Sequence, residues 1–398
     1  MKVLLSVLAC EPDKGSEAEV GFRAVLAAAS QHEVWALTAS SSIPAIRREL
    51  NGDPRAPSVH LEGIEFDPRV RIPSNRWPWE SNRASDRWQK DAAVRALQLD
   101  RQIDFDVVHH VTPASYWTRA GVSAVKKPLI WGPIGGGVGP PMRLLPELGP
   151  RGMLEAVAKM VGRPVVAMFP PMRVTRRTAA FILAQNPETG RRLRGARRMM
   201  LLSNAHAVVL NPLASPGPRT TDLFVVGRLV PWKAPILALR ALRYVDHRTA
   251  MLCFFGEGPE QPRLQQAART WSLEDRVRFE GWTPRPDLLP LLACAGALIH
   301  PAIQEEGGLC IAEALTLGTP VVALDHGGPS QLVGQWRETP SALVSPSGPE
   351  STARRMAAAI DRFLADPPPT TDNIRRGKTS FASELLEAYE LVAGVRRL

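Results

Sequence analysis

The sequence predicts an α/β protein made of two doubly wound parallel sheets, and three observations carry that reading. Short apolar or β-branched runs alternate with helical patterns along almost the whole chain. The alternation restarts after a Pro- and Gly-rich stretch near the middle. At 398 residues the chain is also too long for one ordinary core. Strand–helix alternation makes sequential strands parallel and puts helices on both faces of each sheet.

In the first half the candidate strands are 2–8 (KVLLSVL), 33–39, 59–66, 106–111 (DVVHHV), 128–132, 181–185 and 207–211 (AVVLN). In the second they are 222–228 (DLFVVGR), 251–256, 276–282, 296–302 and 319–325. Between the halves, Asn211–Arg219 (NPLASPGPR) has no periodicity and reads as a linker. The expected domains are therefore 1–212, 213–375 and a C-terminal helix, 376–398, returning to the first domain.

With 44% hydrophobic and 22% charged residues, the composition is that of a folded soluble protein. No apolar run approaches the roughly 18 residues needed to cross a bilayer. The start, MKVLLSVLACEP, reads as a first strand rather than a secretion signal, because its apolar stretch is at the short limit for one. Cys10, Cys253, Cys294 and Cys310 are scattered without metal-binding or CxxC spacing, so reduced thiols and a cytoplasmic location are expected. The net charge of +10 is concentrated between Arg151 and Arg198, in RVTRR and RRLRGARR. A diphosphate, a phospholipid surface and RNA are candidate partners for it, set against a merely solvated Arg-rich face. The absence of aromatic–basic strand motifs of the RRM kind argues against nucleic acid.

Doubly wound sheets bind ligands beyond the C-terminal ends of their strands, and two such domains are expected to form a cleft there. The chemistry should then lie in strand-to-helix loops. In CEPDKGSEAEVGFR, Ser16 and Glu19 form a capping box, so Gly15 precedes a helix N-terminus; a phosphate site and an ordinary tight turn are both open. In FVVGRLVPWKAPILALRAL, Arg228 and Lys233 follow a strand and can clamp two phosphates without a metal ion. In HPAIQEEGGLCIAEALTLGTPVVALDHGG, an acidic turn carries Glu305, Gly307 and Gly308, and a helix follows with Glu313 in its first turns. Glu313 can accept two hydrogen bonds from a ribose diol; the alternative is a carboxylate that merely stabilises the helix dipole.

Glu305 and Glu313 are separated by seven residues, and EEGGLCIAEALTLGTPVVALDHGG resembles the E-x7-E signature of retaining glycosyltransferases of family 4, which have the GT-B fold. VVGRLVPWK is similar to the phosphate-binding Arg/Lys loop of that family, and the resemblance covers nearly all of 222–333. It is thinner in the first half, where GSEAEVGFR, DVVHHVTP and WGPIGGG resemble one bacterial subgroup. The resemblance implies a retaining transfer of a sugar from a nucleotide-diphosphate donor to a hydroxyl acceptor, with no metal or other cofactor. It further implies that Arg228 and Lys233 neutralise the diphosphate, that Glu313 holds the ribose, and that Glu305 bonds donor-sugar hydroxyls. Gly15 would meet phosphate from the other domain. Gly281, Trp282 and Thr283 would border the base, while the turn and helix start at Gly307, Gly308, Leu309 and Cys310 would offer amides to phosphate and sugar. A His near the sugar is expected at His110, with His109 as the neighbouring register. Glu306 stands where the family usually has Gly, and so competes with Glu305 for the sugar-facing role.

Three rival readings are weighed against this one. A phosphorylase would need a pyridoxal-binding Lys in the second domain, and after Lys233 only Lys378 remains. A catalytically silent sugar-nucleotide-binding module would keep the same phosphate loops. A transferase acting on a lipid-linked or polysaccharide acceptor would keep the same donor site. GPIGGG at 132–137 lacks the GxGxxG spacing, so it reads as a flexible loop lining the cleft and not as an NAD site. For the acceptor, Trp77 and Trp79 beside Arg76 point to a small glycoside or secondary metabolite. Membrane contact is not favoured, because Pro140, Pro141, Pro146 and Pro150 are expected to break any long amphipathic helix.

Overall fold

The computed structural model describes residues 1–12, 16–66, 78–193, 198–208, 210, 217–336, 338–370 and 380–395. The chain folds into two compact units. Unit 1 is Met1–Gly137, Val161–Ala207 and Thr379–Leu398; unit 2 is Val138–Met160 and Val208–Lys378.

Unit 1 holds seven strands, β1 (Lys2–Val7), β2 (Glu33–Ala39), β3 (Val59–Ile64), β4 (Val107–Thr112), β5 (Leu129–Ile134), β6 (Ala179–Ala184) and β7 (Met199–Leu201). They lie in the order β3-β2-β1-β4-β5-β6-β7, and every pairing is parallel. Strand β1 is central and buried, so its side chains divide between two cores. Val3, Leu5 and Val7 face the helices Ser16–Ala29 and Phe381–Val395, while Leu4 joins Trp88, Ala92, Ala96 and Leu99 of the helix Pro78–Ile103. The C-terminal helix thus completes one face of this sheet. Its Tyr389 is wholly buried and hydrogen-bonds His109 on β4 at 2.7 Å.

Unit 2 holds β8 (Leu223–Val226), β9 (Leu252–Phe255), β10 (Val277–Gly281), β11 (Ala297–His300), β12 (Val321–Leu324) and β13 (Ser341–Val344), in the order β10-β9-β8-β11-β12-β13 and again all parallel. Residues 138–160 belong here although they precede the expected boundary at 212. Leu144, Leu145 and Leu148 of a 3₁₀ stretch enter the unit 2 core beside Leu237 and Ile360. Buried Glu147 is held by Arg240 at 3.0 Å, and its carbonyl accepts from Arg263 at 2.7 Å.

Four sequence expectations change. The seventh strand is β7 at Met199–Leu201, and Asn204–Ala207 forms a 3₁₀ turn; of the strand expected at 207–211, residues 209 and 211 lie outside the described residues. Strand β13, Ser341–Val344, is an additional strand that the sequence reading did not include, and it pairs with β12. GPIGGG is not a free loop: its first half is β5, Gly135 N donates to Ala114 O at 2.9 Å and Gly137 N to Thr189 Oγ1 at 3.0 Å. The prolines also fail to break the helix they precede. It runs Gly149–Ala167, with Pro150 in its first turn, where a missing N–H costs nothing, and Pro164 inside it.

The neutral His109 ring donates from Nε2 to Gly132 O at 2.7 Å, so its Nδ1 must accept from the Tyr389 hydroxyl. Tyr389→Phe keeps the ring and strands that buried acceptor. It should cost about 1–3 kcal/mol in urea unfolding, with the denaturant slope unchanged. A change of a few tenths would count against this tie.

Candidate functional site

The site grows from the C-terminal ends of β8 and β11, which are neighbours in the sheet although their connections run in opposite directions from that point. Such a reversal leaves a crevice that no crossover connection covers. After β8 the chain turns at Gly227, with φ 130°, to exposed Arg228, then makes a 3₁₀ turn Pro231–Lys233 that leads into the helix Pro235–Leu242. After β11 comes the turn to the helix Leu309–Thr316, with Gly308 in the left-handed region at φ 93° as its N-cap. The two loops are joined by backbone: Ile303 N and Gln304 N both donate to Trp232 O, at 3.1 and 3.2 Å. The Arg228 guanidinium lies 5.8 Å from the Trp232 ring centre.

Glu305 sits at the middle of this arrangement. Its Oε2 accepts from the Lys233 ammonium and lies 3.1 Å from His300 Nε2. Its Oε1 accepts from Gly307 N at 3.4 Å, and its main-chain carbonyl from Gly328 N at 2.9 Å. On the far side of His300, Nδ1 meets Cys310 Sγ at 3.4 Å. Burial opposes ionisation of Glu305, but Lys233 and His300 outweigh it and hold the carboxyl well below the usual carboxylate range. Burial likewise works against charge on Lys233 and His300. Glu305 more than offsets this for Lys233, and Cys310 with Glu305 raise the His300 pKa to about 9. The cluster is thus an ionised triad in a largely dry pocket.

Glu306 meets a different partner. Its Oε1 accepts from Val138 N at 3.1 Å, so Glu305 is the glutamate of this pair that meets Lys233. Glu313, buried in the helix Leu309–Thr316, accepts from Arg285 Nε at 2.8 Å. At the other sheet edge Gly281, with φ 71°, ends β10, and its carbonyl accepts from Gly256 N at 2.7 Å; Trp282 beside it is 72% exposed. Thr283 continues that rim.

The structure therefore brings together Arg228, Lys233, Glu305, Gly307, Gly308, Leu309, Cys310 and Glu313, with Gly281, Trp282 and Thr283 on the same end of the unit 2 sheet. Gly15, Arg76 and Trp77 lie outside the described residues, as does the Trp79 side chain. His110 is in unit 1 and wholly buried, with Nε2 3.1 Å from Pro113 O and Nδ1 3.3 Å from Ser6 Oγ; burial lowers its pKa, and that of His109, to about 4.

Sequence reasoning missed three contributors. His300 ends β11 five residues before Glu305, and a titratable residue closing an apolar strand was the available signal. Arg285, which orients Glu313, stands in a proline-rich stretch with no motif around it. The Gly327–Gly328 pair lies against the acidic turn: a Cβ on Gly328 would stand 2.4 Å from Glu306 O, so only glycine lets the loop after β12 brace it.

Residues 216–380 match the family described as glycosyl transferases group 1. Among characterised relatives, the 2-deoxystreptamine glucosyltransferase of Streptomyces kanamyceticus is 32% identical over 151 residues, 36% of this chain and 38% of that protein. Glycogen synthase of Mycobacterium tuberculosis is 31% identical over 195 residues, 48% of this chain and 45% of that protein. The match thus spans less than half the length of either relative. Along the whole chain the fold is shared with Anabaena HepE in a crystal structure with UDP-glucose, at TM-score 0.58 and 17% identity, covering 100% of this chain and 99% of that one. The two parallel-sheet α/β units are those of the GT-B glycosyltransferase fold.

The triad fixes a pH dependence. Glu305, depressed in the fold, contributes stability that is present above the ordinary glutamate value of 4.5 and lost as pH falls below it. His300, raised in the fold, contributes stability that is full below 6.5 and lost as pH rises through about 9. Glu305→Gln should cost on the order of 2 kcal/mol between these limits, intermediate between exposed and fully buried pairs. Thermal melts of both proteins from acid to alkaline pH should show the gap narrowing at each end. A constant gap would contradict an ionised triad.

Proposed function

We propose that this protein is a retaining glycosyltransferase that moves a sugar from a nucleotide-diphosphate donor to a hydroxyl acceptor. The observation that carries the reading is the meeting of Arg228 and Lys233 with Glu305 and the amide-bearing turn Gly307–Cys310 at the crevice between β8 and β11. As the bond from the anomeric carbon to the β-phosphate breaks, positive charge grows on the sugar and negative charge on the leaving diphosphate. Arg228 and Lys233 meet that negative charge in a site already organised, which is commonly the largest source of rate enhancement. The ammonium of Lys233 has three protons, so it can serve Glu305 and a phosphate oxygen together. Glu313, oriented by Arg285, is placed to accept the ribose hydroxyls, and Trp282 is an exposed apolar face for the base.

Retention rests on the E-x7-E spacing of Glu305 and Glu313. The acceptor hydroxyl adds on the face the phosphate leaves, and a leaving-phosphate oxygen takes its proton, so no dedicated protein base is needed. The diphosphate clamp consists of two side-chain cations and backbone amides, which favours a reaction without metal or other cofactor. The 2-deoxystreptamine glucosyltransferase among the relatives supports a small glycoside or secondary metabolite as acceptor. Use of a nucleotide-sugar donor, together with four unpaired cysteines, supports a cytoplasmic setting.

Arg228→Ala and Glu313→Ala should each lower transfer, assayed below saturating donor, by about 100-fold or more, with unfolding midpoints close to wild type. Near-wild-type rates in either variant would overturn the donor-site assignment, and with it the preference over a silent binding module.

Transfer should persist in excess EDTA, and the proton NMR spectrum of the first product should show the donor's anomeric configuration. Complete loss that added metal restores would sink the metal-free clamp. An inverted linkage would sink retention.

A further inference from the structure

Unit 1 carries a surface that the donor chemistry does not use. From Val161 the last turns of the helix Gly149–Ala167 lead through a tight turn at Met168 and Phe169 into the helix Pro170–Thr178. Along this path Val161, Val165, Val166, Met168, Phe169 and Val174 are all exposed, Met168 to 71% and Phe169 to 54%. Two large apolar side chains thus project from the turn between two consecutive helices. The second helix is seated by the opposite face, where fully buried Thr175 accepts from Ala120 N at 3.3 Å, leaving Arg173, Val174 and Arg177 outward.

Along this segment the charge has one sign. Between Glu155 and Glu188 the sequence contains Lys159, Arg163, Arg173, Arg176 and Arg177 and no acidic residue. Arg163 packs over the Trp117 ring at 4.3 Å, whereas Arg173 and Arg177 are exposed beside the apolar turn.

We propose that Val161–Arg177 is a docking surface for an anionic lipid bilayer. The charge selects among occupants. A second copy seated on the same patch would bring two sets of arginines together with no carboxylate between them, which opposes such pairing. A nucleic acid would satisfy the arginines but leave the valines and Met168 in water. A bilayer interface supplies both phases, with acyl chains for Met168, Phe169 and the valines and anionic headgroups for Arg173 and Arg177. Prolines 140, 141, 146 and 150, which argued against membrane contact in the sequence, all precede this segment. The surface is independent of the donor site, so its test stands whether or not the transfer reaction is as proposed.

Full-length protein should sediment with vesicles containing one-third phosphatidylglycerol and remain in solution with pure phosphatidylcholine. Met168→Ser/Phe169→Ser and Arg173→Ser/Arg177→Ser should each lower the partition coefficient about tenfold or more, and high salt should mimic the arginine variant. All these positions are exposed, so unfolding midpoints and donor turnover in free solution should match wild type. The arginine variant keeps the test decisive if the apolar variant fails to fold. Three outcomes would overturn the proposal: wild type that ignores anionic vesicles, binding that survives both variants, or light scattering that shows a dimer dissolved by Met168→Ser/Phe169→Ser.

Discussion

The carboxylate of Glu305 is the interaction on which the loop cluster of unit 2 depends. It links the loop after β8 through Lys233 and the end of β11 through His300, while the same residue's carbonyl receives the loop after β12 through Gly328. Lys233 and His300 are both cationic beside it, and two cations in a largely dry pocket repel unless a fixed anion stands between them. One residue thereby ties together loops from three different strands, through its ionised side chain to Lys233 and His300 and through its carbonyl to Gly328. A neutral isostere would keep the shape and lose the reason for it.

Backbone approach is the second constraint, and glycine meets it. The chain leaves β9 at Gly256, with φ 139°, where a Cβ would stand 2.1 Å from Gly227 O; its amide donates to Gly281 O. Three adjacent strands therefore end with their carbonyl ends drawn together, which brings Arg228 and the rim at Trp282 to one end of the sheet. The glycine pair at 327–328 does the same on the other side of β11. Polar chemistry and steric permission reinforce each other, since Glu305 is held in place partly because the backbone behind it can come so close.

Most of the fold was legible because a buried parallel strand leaves a dense apolar signature, as KVLLSV and VVHHVT do. What escaped was short, polar or decided by tertiary contact. Strand β13 and strand β7 are three or four residues long, and no local pattern distinguishes them from loop. The allegiance of 138–160 was invisible because Leu144, Leu145 and Leu148 would suit either core; burial of Glu147 against Arg240 and Arg263 decides it. In the proposed donor site, Arg228, Lys233, Glu305 and Glu313 could be singled out because they fall at fixed spacing in strand-to-helix loops. Arg285 and His300 act through those residues, and nothing in spacing marks a residue whose partner lies elsewhere in the sequence. The competition between Glu305 and Glu306 likewise needed coordinates: two adjacent carboxylates differ only in what each one meets.

The exposed segment of unit 1 illustrates a different limit. A donor site must place a handful of atoms relative to one another, so its residues are fixed in type and spacing and form a motif. A surface that meets a fluid interface needs only apolar area and a charge of suitable sign, and many sequences satisfy that equally well. Composition alone suggested an Arg-rich face between 151 and 198, and prolines upstream suggested that no amphipathic helix would survive there. Neither observation could say whether the valines and methionines pointed inward, because the same apolar residues at helical spacing build a core when a partner covers them. Exposure of Met168 and Phe169 at the turn between two helices, with Thr175 buried on the second, separates those possibilities. The distinguishing fact is thus the direction of side chains relative to the sheet, a property that periodicity leaves open and packing decides.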